Sequence, residues 1–123
     1  ILDLLDLKVD RPEDHPASPG RSYASQLTGD TESWDEEEFF HEFEMVRTVR
    51  TQRWKYSWRF PDGPDELYDM VEDPGERWNR VSGPACQEVI EDHRARIERF
   101  FNQYADPRWD LWREGGTKAG RLS

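Results

Sequence analysis

The sequence is poor in apolar residues, in cysteine and in basic charge, and each shortage excludes something. Hydrophobic residues make up 34% of the 123 residues and charged residues 36%, the reverse of the balance in an ordinary globular domain. No apolar run approaches the roughly 20 residues of a membrane-spanning helix, so no membrane span is expected. The 17 Lys+Arg stand against 27 Asp+Glu, for a formal charge of −10. A nucleic-acid partner is therefore not expected, because such a protein needs a basic face to displace counterions. The single cysteine, Cys86, excludes an intrachain disulfide and a cysteine-rich zinc site. What is present in quantity is aromatic: six Trp, six Phe and four Tyr, enough to build one core from few positions.

The N-terminus has neither an initiator Met nor the basic and small-residue features of a signal peptide, and the chain reads as a fragment of something longer. Residues 1–9 carry Ile1, Leu4 and Leu5 on one helical face, which predicts an amphipathic helix or its last turns, too short to be stable unless docked. Pro12, Pro16 and Pro19 make residues 11–20 a loop. A helical turn is expected around Tyr23, Ala24 and Leu27, followed by a polar connector over 30–35. Alternation through Phe39, His41, Phe43 and Met45 predicts a strand. Val46 to Arg50 and Trp54 to Phe60 read as a hairpin turning at Thr51-Gln52-Arg53. Pro61-Asp62-Gly63-Pro64-Asp65 is turn chemistry, and Glu66 to Met70 returns as a third strand of that meander. Ser82 is a candidate cap and Pro84 a first-turn residue for a helix. Its stripe runs through Cys86, Val89, Ile90, His93, Ile97, Phe100, Phe101 and Tyr104, and Asp106-Pro107 ends it. Trp109, Leu111 and Trp112 are expected to anchor an extended tail whose end, from Gly115, is frayed. The fold class expected is α+β, a small antiparallel sheet packed against one long C-terminal helix. The division expected is a domain end and linker over 1–34, an α+β subdomain over 35–105 and a tail over 106–123.

Four blocks resemble the C-terminal part of the formylglycine-dependent sulfatases, sulfuric ester hydrolases of alkaline-phosphatase-like fold. Ile1-Leu2-Asp3-Leu4-Leu5-Asp6-Leu7 is similar to their T-(I/L)-L-D-L-x-G-L segment near the end of the catalytic domain. Pro19-Gly20-Arg21-Ser22-Tyr23, with Leu27 and Gly29 beyond it, is similar to the G-R-S-L loop that follows. The run from Met45 to Tyr56 resembles the R-x-(I/V)-R-T-x-R-(Y/W)-K-Y hairpin. Glu66-Leu67-Tyr68-Asp69-Met70 with Asp73-Pro74-Gly75-Glu76 resembles E-L-Y-D-L-x-x-D-P-x-E. Asp6 replaces the usual glycine of the first block, and Trp78-Asn79-Arg80-Val81 departs from an N-N-L turn. The resemblance implies a parent that hydrolyses sulfate esters with Ca2+ and a formylglycine, and that is often exported, hence periplasmic or secreted. Cys86 lacks the proline and arginine of the Cys/Ser-x-Pro-x-Arg motif from which formylglycine is made, and the family's Asp-His-Gly or Asp-Asn-Gly calcium turn does not occur. The chain is accordingly expected to be the non-catalytic end of a sulfatase, inactive alone, with the missing catalytic domain as its partner and a sulfated substrate in reach. A free-standing module binding a sulfated or acidic glycan, and the end of a phosphonate or phosphate monoester hydrolase, are the alternatives.

No residue is expected to be catalytic or to bind metal or cofactor. The acidic run at Glu36-Glu37-Glu38 beside His41 lacks the paired histidines of a zincin and reads as a solvated connector. Arg47, Arg50, Arg53, Lys55 and Arg59 are expected to form a basic strip opposite the aromatic face. From it, His41, Arg47, Arg50 and Lys55 are the candidates for the rim of a substrate cleft, since guanidinium groups bind oxyanions. The blander reading pairs these cations with local carboxylates. Trp54, Tyr56 and Trp58 read as core under the helix rather than as a sugar platform, with Trp109 and Trp112 unplaced. His93 reads as a core histidine, and His15 has no partner in view.

Overall fold

A computed structural model describes residues 2–8, 19–20, 22–29, 37–42, 45–61, 63–110 and 112, the side chains of Asp3, His41 and Glu42 excepted. The strands are β1 (Glu38–Glu42), β2 (Val46–Arg50), β3 (Trp54–Arg59) and β4 (Glu66–Asp69), and the helices are α1 (Ala24–Leu27) and α2 (Gln87–Tyr104). The four strands form one antiparallel sheet in the order β1-β2-β3-β4. The expected fold class holds, and the hairpin turns where the sequence placed it, at residues 51–53.

Residues directly opposite one another in an antiparallel sheet share a face. Phe39, Val49, Tyr56 and Leu67 are paired in one row across all four strands. Val49, Tyr56 and Leu67 join Ile90 and Ile97 of α2 in the core, with Trp54, Trp58, Val89 and Phe101 packed against it. The helical stripe read from the sequence is the face that α2 lays on this row. Phe39 and Phe100 stack with ring centroids 4.1 Å apart, tying the edge strand to the end of the helix.

The opposite face is polar. Thr48 and Ser57 are buried there and share a hydrogen bond of 2.8 Å. They are flanked by the ion pairs of Lys55 with Glu76 and Arg59 with Glu66. The free edge of β4 is sealed by the following loop. Asn79 Oδ1 accepts from the Leu67 N–H, its Nδ2 donates to the Asp65 carbonyl, and the Arg80 N–H donates to the Leu67 carbonyl. Capturing the backbone groups of an edge strand in this way removes a template for aggregation.

Two local expectations take a definite form, the second as a correction. The N-terminal segment forms only a 3-10 turn over Asp3–Leu5, with Leu2, Leu4, Leu5 and Leu7 exposed. A single amphipathic segment without a packed face does not repay helix nucleation, and Asp6 stops it at φ 51°. Asp is among the few residues other than glycine that tolerate that left-handed conformation. At the other junction Ser82 is not the cap. The chain enters α2 through a 3-10 turn over Pro84–Cys86, after Gly83, with no side-chain cap bond. The expectations for residues 11–18, 30–35 and Gly115 onward lie outside the described residues.

Candidate functional site

The basic strip is not one strip. Arg47 pairs with Trp58 and Arg50 with Lys55, and because alternate residues of a strand face opposite ways, Arg47 stands on the helix side while Arg50 and Lys55 stand on the outer side. Arg47 is 2% exposed. Its guanidinium lies 4.0 Å from the Phe101 ring centroid and 4.3 Å from that of Trp112, and one of its nitrogens, Nη2, donates to both oxygens of Asp110 at 2.6 Å. Arg50 is exposed. Lys55 Nζ donates to Glu76 at 2.8 Å, and Arg53, in the hairpin turn, donates through Nε and Nη2 to Asp69. The backbone of His41 pairs with Arg47, and its side chain lies outside the described residues. Four of the five strip residues thus make ion pairs with carboxylates, as the blander reading has it.

The carboxylates of the motif blocks do structural work as well. Asp69, buried, accepts the Val71 and Glu72 N–H groups on Oδ1 while holding Arg53 on Oδ2. Burial alone would raise its pKa, but the Arg53 and backbone hydrogen bonds outweigh it and hold the carboxyl below its ordinary value. Asp73 Oδ2 accepts the Arg77 and Trp78 N–H groups at 2.7 and 2.8 Å, building the turn that Pro74 and Gly75 permit. The spacing of the fourth block is therefore the spacing of two turn-forming carboxylates.

A third cluster was not anticipated. Asp65 Oδ2 accepts the Tyr56 hydroxyl and Arg94 Nη2, each at 2.7 Å, while its Oδ1 accepts the Arg59 N–H at 3.0 Å. Arg94 Nε also donates to the Tyr56 oxygen at 2.7 Å. Burial pushes the Asp65 pKa up, but the hydrogen bonds from Tyr56, Arg59 and Arg94 more than offset it, and the carboxyl sits below its usual value. Tyr56 is raised, by burial first and then by the bond to Asp65. The sequence showed Asp65 only as a turn residue, and nothing in it marked Arg94 as its partner from α2.

His93 is the core histidine expected. Val89 O lies 2.8 Å from Nδ1, which fixes that nitrogen as the donor, and Nε2 is buried without a partner. It lines a cavity of about 680 Å³ with Thr51, Arg53, Trp54, Val89 and Arg96. Burial lowers its pKa, against the opposing effects of the Val89 carbonyl and Asp92. Below the unfolded value of about 6.5 the unfolded chain takes up a proton that the folded chain refuses. Stability is then expected to fall as pH drops from about 7.5 to 5.5, by up to about 1.4 kcal/mol per pH unit. Urea midpoints at the two pH values should separate for the wild type and converge for His93→Leu. Equal separation in both proteins would remove His93 as the cause.

Trp112 is 1% exposed, set edge-on to Trp58 with ring centroids 4.7 Å apart. It anchors the tail as expected, whereas Trp109 points outward. Tail and helix end enclose a second cavity of about 290 Å³, lined by Arg47, Phe100, Phe101, Tyr104, Trp109 and Asp110 among others.

Nothing in these clusters supplies a nucleophile with a base and an orienting group. Cys86 is a free, partly buried thiol packed against the core. Among the described residues no group of three or more His, Cys, Asp or Glu is placed to hold a metal ion. No helix among them is long and apolar enough to cross a membrane.

No family model matches the chain. A Δ4,5-hexuronate-2-O-sulfatase of Bacteroides thetaiotaomicron is 36% identical over 73 residues, which are 56% of this chain and 15% of that protein. A solved 2-O GAG sulfatase structure superposes with a TM-score of 0.62 at 31% identity, covering 87% of this chain and 26% of the other. A sulfatase solved with its substrate D-glucosamine-2-N,6-O-disulfate gives a TM-score of 0.63 at 22% identity over 89% of this chain and 24% of its own, a likeness of fold alone. The chain spans between 15% and 26% of the length of the first two. By sequence and by fold, the chain matches a C-terminal portion of sulfatases, about a quarter of their length or less.

Proposed function

We propose that the protein to which this chain belongs hydrolyses a sulfate ester on a glycan, with a 2-O-sulfated hexuronate as the substrate of first choice. The observation that carries the reading is the match to a 2-O GAG sulfatase at 31% identity over 87% of the chain. It is supported by the curated relative that acts on a hexuronate 2-O-sulfate. Calcium and formylglycine would be supplied by a catalytic domain elsewhere in the protein. This chain would pack on that domain and help to shape the substrate cleft. Arg50 is the outer-face candidate for contact with an anionic substrate, since Lys55 is tied to Glu76 and Arg47 is withdrawn into the core.

The full-length protein is expected to release inorganic sulfate from an unsaturated 2-O-sulfated hexuronate disaccharide, measured by ion chromatography. Residues 1–123 alone are expected to release none. Sulfate release by the isolated chain, or failure of the full-length protein on every sulfated disaccharide tried, would overturn the reading.

A further inference from the structure

Trp109 is 76% exposed, the most exposed large apolar side chain among the described residues. An indole left in water forgoes roughly 25 cal/mol for each Å² it could bury, so its rigid presentation calls for a reason. The turn carrying it is held on both sides. The Trp109 and Asp110 N–H groups both donate to the Asp106 carbonyl, at 2.9 and 3.0 Å. The Asp106 carboxylate takes the Arg108 N–H and guanidinium. Beyond it, Asp110 is fixed by Arg47 and accepts the Trp112 N–H, and Trp112 is sunk in the core. The backbone is thus pinned immediately before and after the outward-facing indole.

That ring is also one wall of the 290 Å³ cavity, with Phe100, Phe101 and Tyr104 along the helix end and Asp106 and Asp110 at its polar margin. The cavity is small for a drug-sized ligand and suits a single ring. Its charges cancel locally, because Arg47 pairs with Asp110 and Arg108 with Asp106. Trp78 is exposed too but lines neither cavity.

From this arrangement we infer that Trp109 and the adjoining cavity form a saccharide subsite in which the indole stacks on one pyranose ring of a glycan chain. The physical basis is the negative face of the aromatic quadrupole, which attracts the C–H groups that ring oxygens polarise on one side of a pyranose. A pre-fixed indole also loses little entropy on binding. The inference rests on the glycan reading above and assigns part of that substrate to residues of this chain.

The test uses the full-length protein and two probes, a heparin-derived tetrasaccharide and the corresponding disaccharide. Calorimetric titration should show the tetrasaccharide bound about tenfold more weakly by Trp109→Ala and little changed by Trp78→Ala, with disaccharide affinity held within about twofold. Trp109→Phe should retain part of the affinity. Unaltered tetrasaccharide affinity in Trp109→Ala, or equal losses on both probes, would overturn the subsite. Because Trp109 is exposed, the variant should melt with the wild type, and a lowered melting temperature would instead mark Trp109 as an interdomain contact and also overturn it. Sulfate release from the disaccharide reports separately on the sulfatase reading, and the binding comparison stands whichever way that assay falls.

Discussion

Arg47→Ala is expected to cost about 3–5 kcal/mol of stability, the loss seen when one member of a buried ion pair is removed. The guanidinium is 2% exposed and sits between the rings of Phe101 and Trp112. Its removal opens a void between two aromatic walls and takes from the Asp110 carboxylate the guanidinium it accepts. The tail is held to the sheet partly through this contact, so the turn at residues 106–110 and the packing of Trp112 should loosen together. Arg47→Lys should recover only a minor part, since an ammonium is neither planar nor able to stack between two rings. Urea unfolding of the two variants and of Asp110→Asn measures this, and the double variant gives the coupling. A cost for Arg47→Ala under about 1 kcal/mol would place the pair with ordinary surface salt bridges and refute the account.

The strands, the long helix and the core aromatics were legible because each follows a period. Trp54, Tyr56 and Trp58 alternate, and Val89, Ile90, His93 and Ile97 recur at helical spacing. The same rule, applied strictly, would have separated Arg47 from Arg50, which are three apart on one strand and so face opposite ways. Grouping them by charge hid the one that mattered to the core. Asp110 and Arg94 could not have been found this way. Asp110 meets Arg47 across 63 positions and Arg94 meets Asp65 across 29, and no local pattern encodes a partner that only the packing of helix and tail on the sheet brings near. The motif carboxylates were legible as a family likeness, but their work, fixing the turns at Asp69 and Asp73, became visible only with the backbone N–H groups they accept.

Asp65→Ala is expected to cost about 2–4 kcal/mol, because one carboxylate there satisfies three donors, two from β3 and one from α2. It closes the turn before β4 onto the Arg59 N–H, accepts the fully buried Tyr56 at its hydroxyl, and receives Arg94 from α2. Without it the Tyr56 hydroxyl keeps only Arg94, which can donate but not accept. Tyr56→Phe, which removes the hydroxyl as well as its need for a partner, should cost less, about 1 kcal/mol. Tyr56→Phe combined with Asp65→Ala should fall short of the sum of the single costs, because the two share one bond. The pH dependence supplies a second readout with a fixed sign. The Asp65 carboxyl is held below its ordinary value in the fold, so its contribution is fully present above the unfolded pKa of about 3.9 and fades as pH falls through the folded value. The stability gap between wild type and Asp65→Ala should therefore be constant from neutrality down to about pH 5 and narrow in stronger acid. A gap that widens on acidification would show that Asp65 does not act there as a hydrogen-bonded carboxylate.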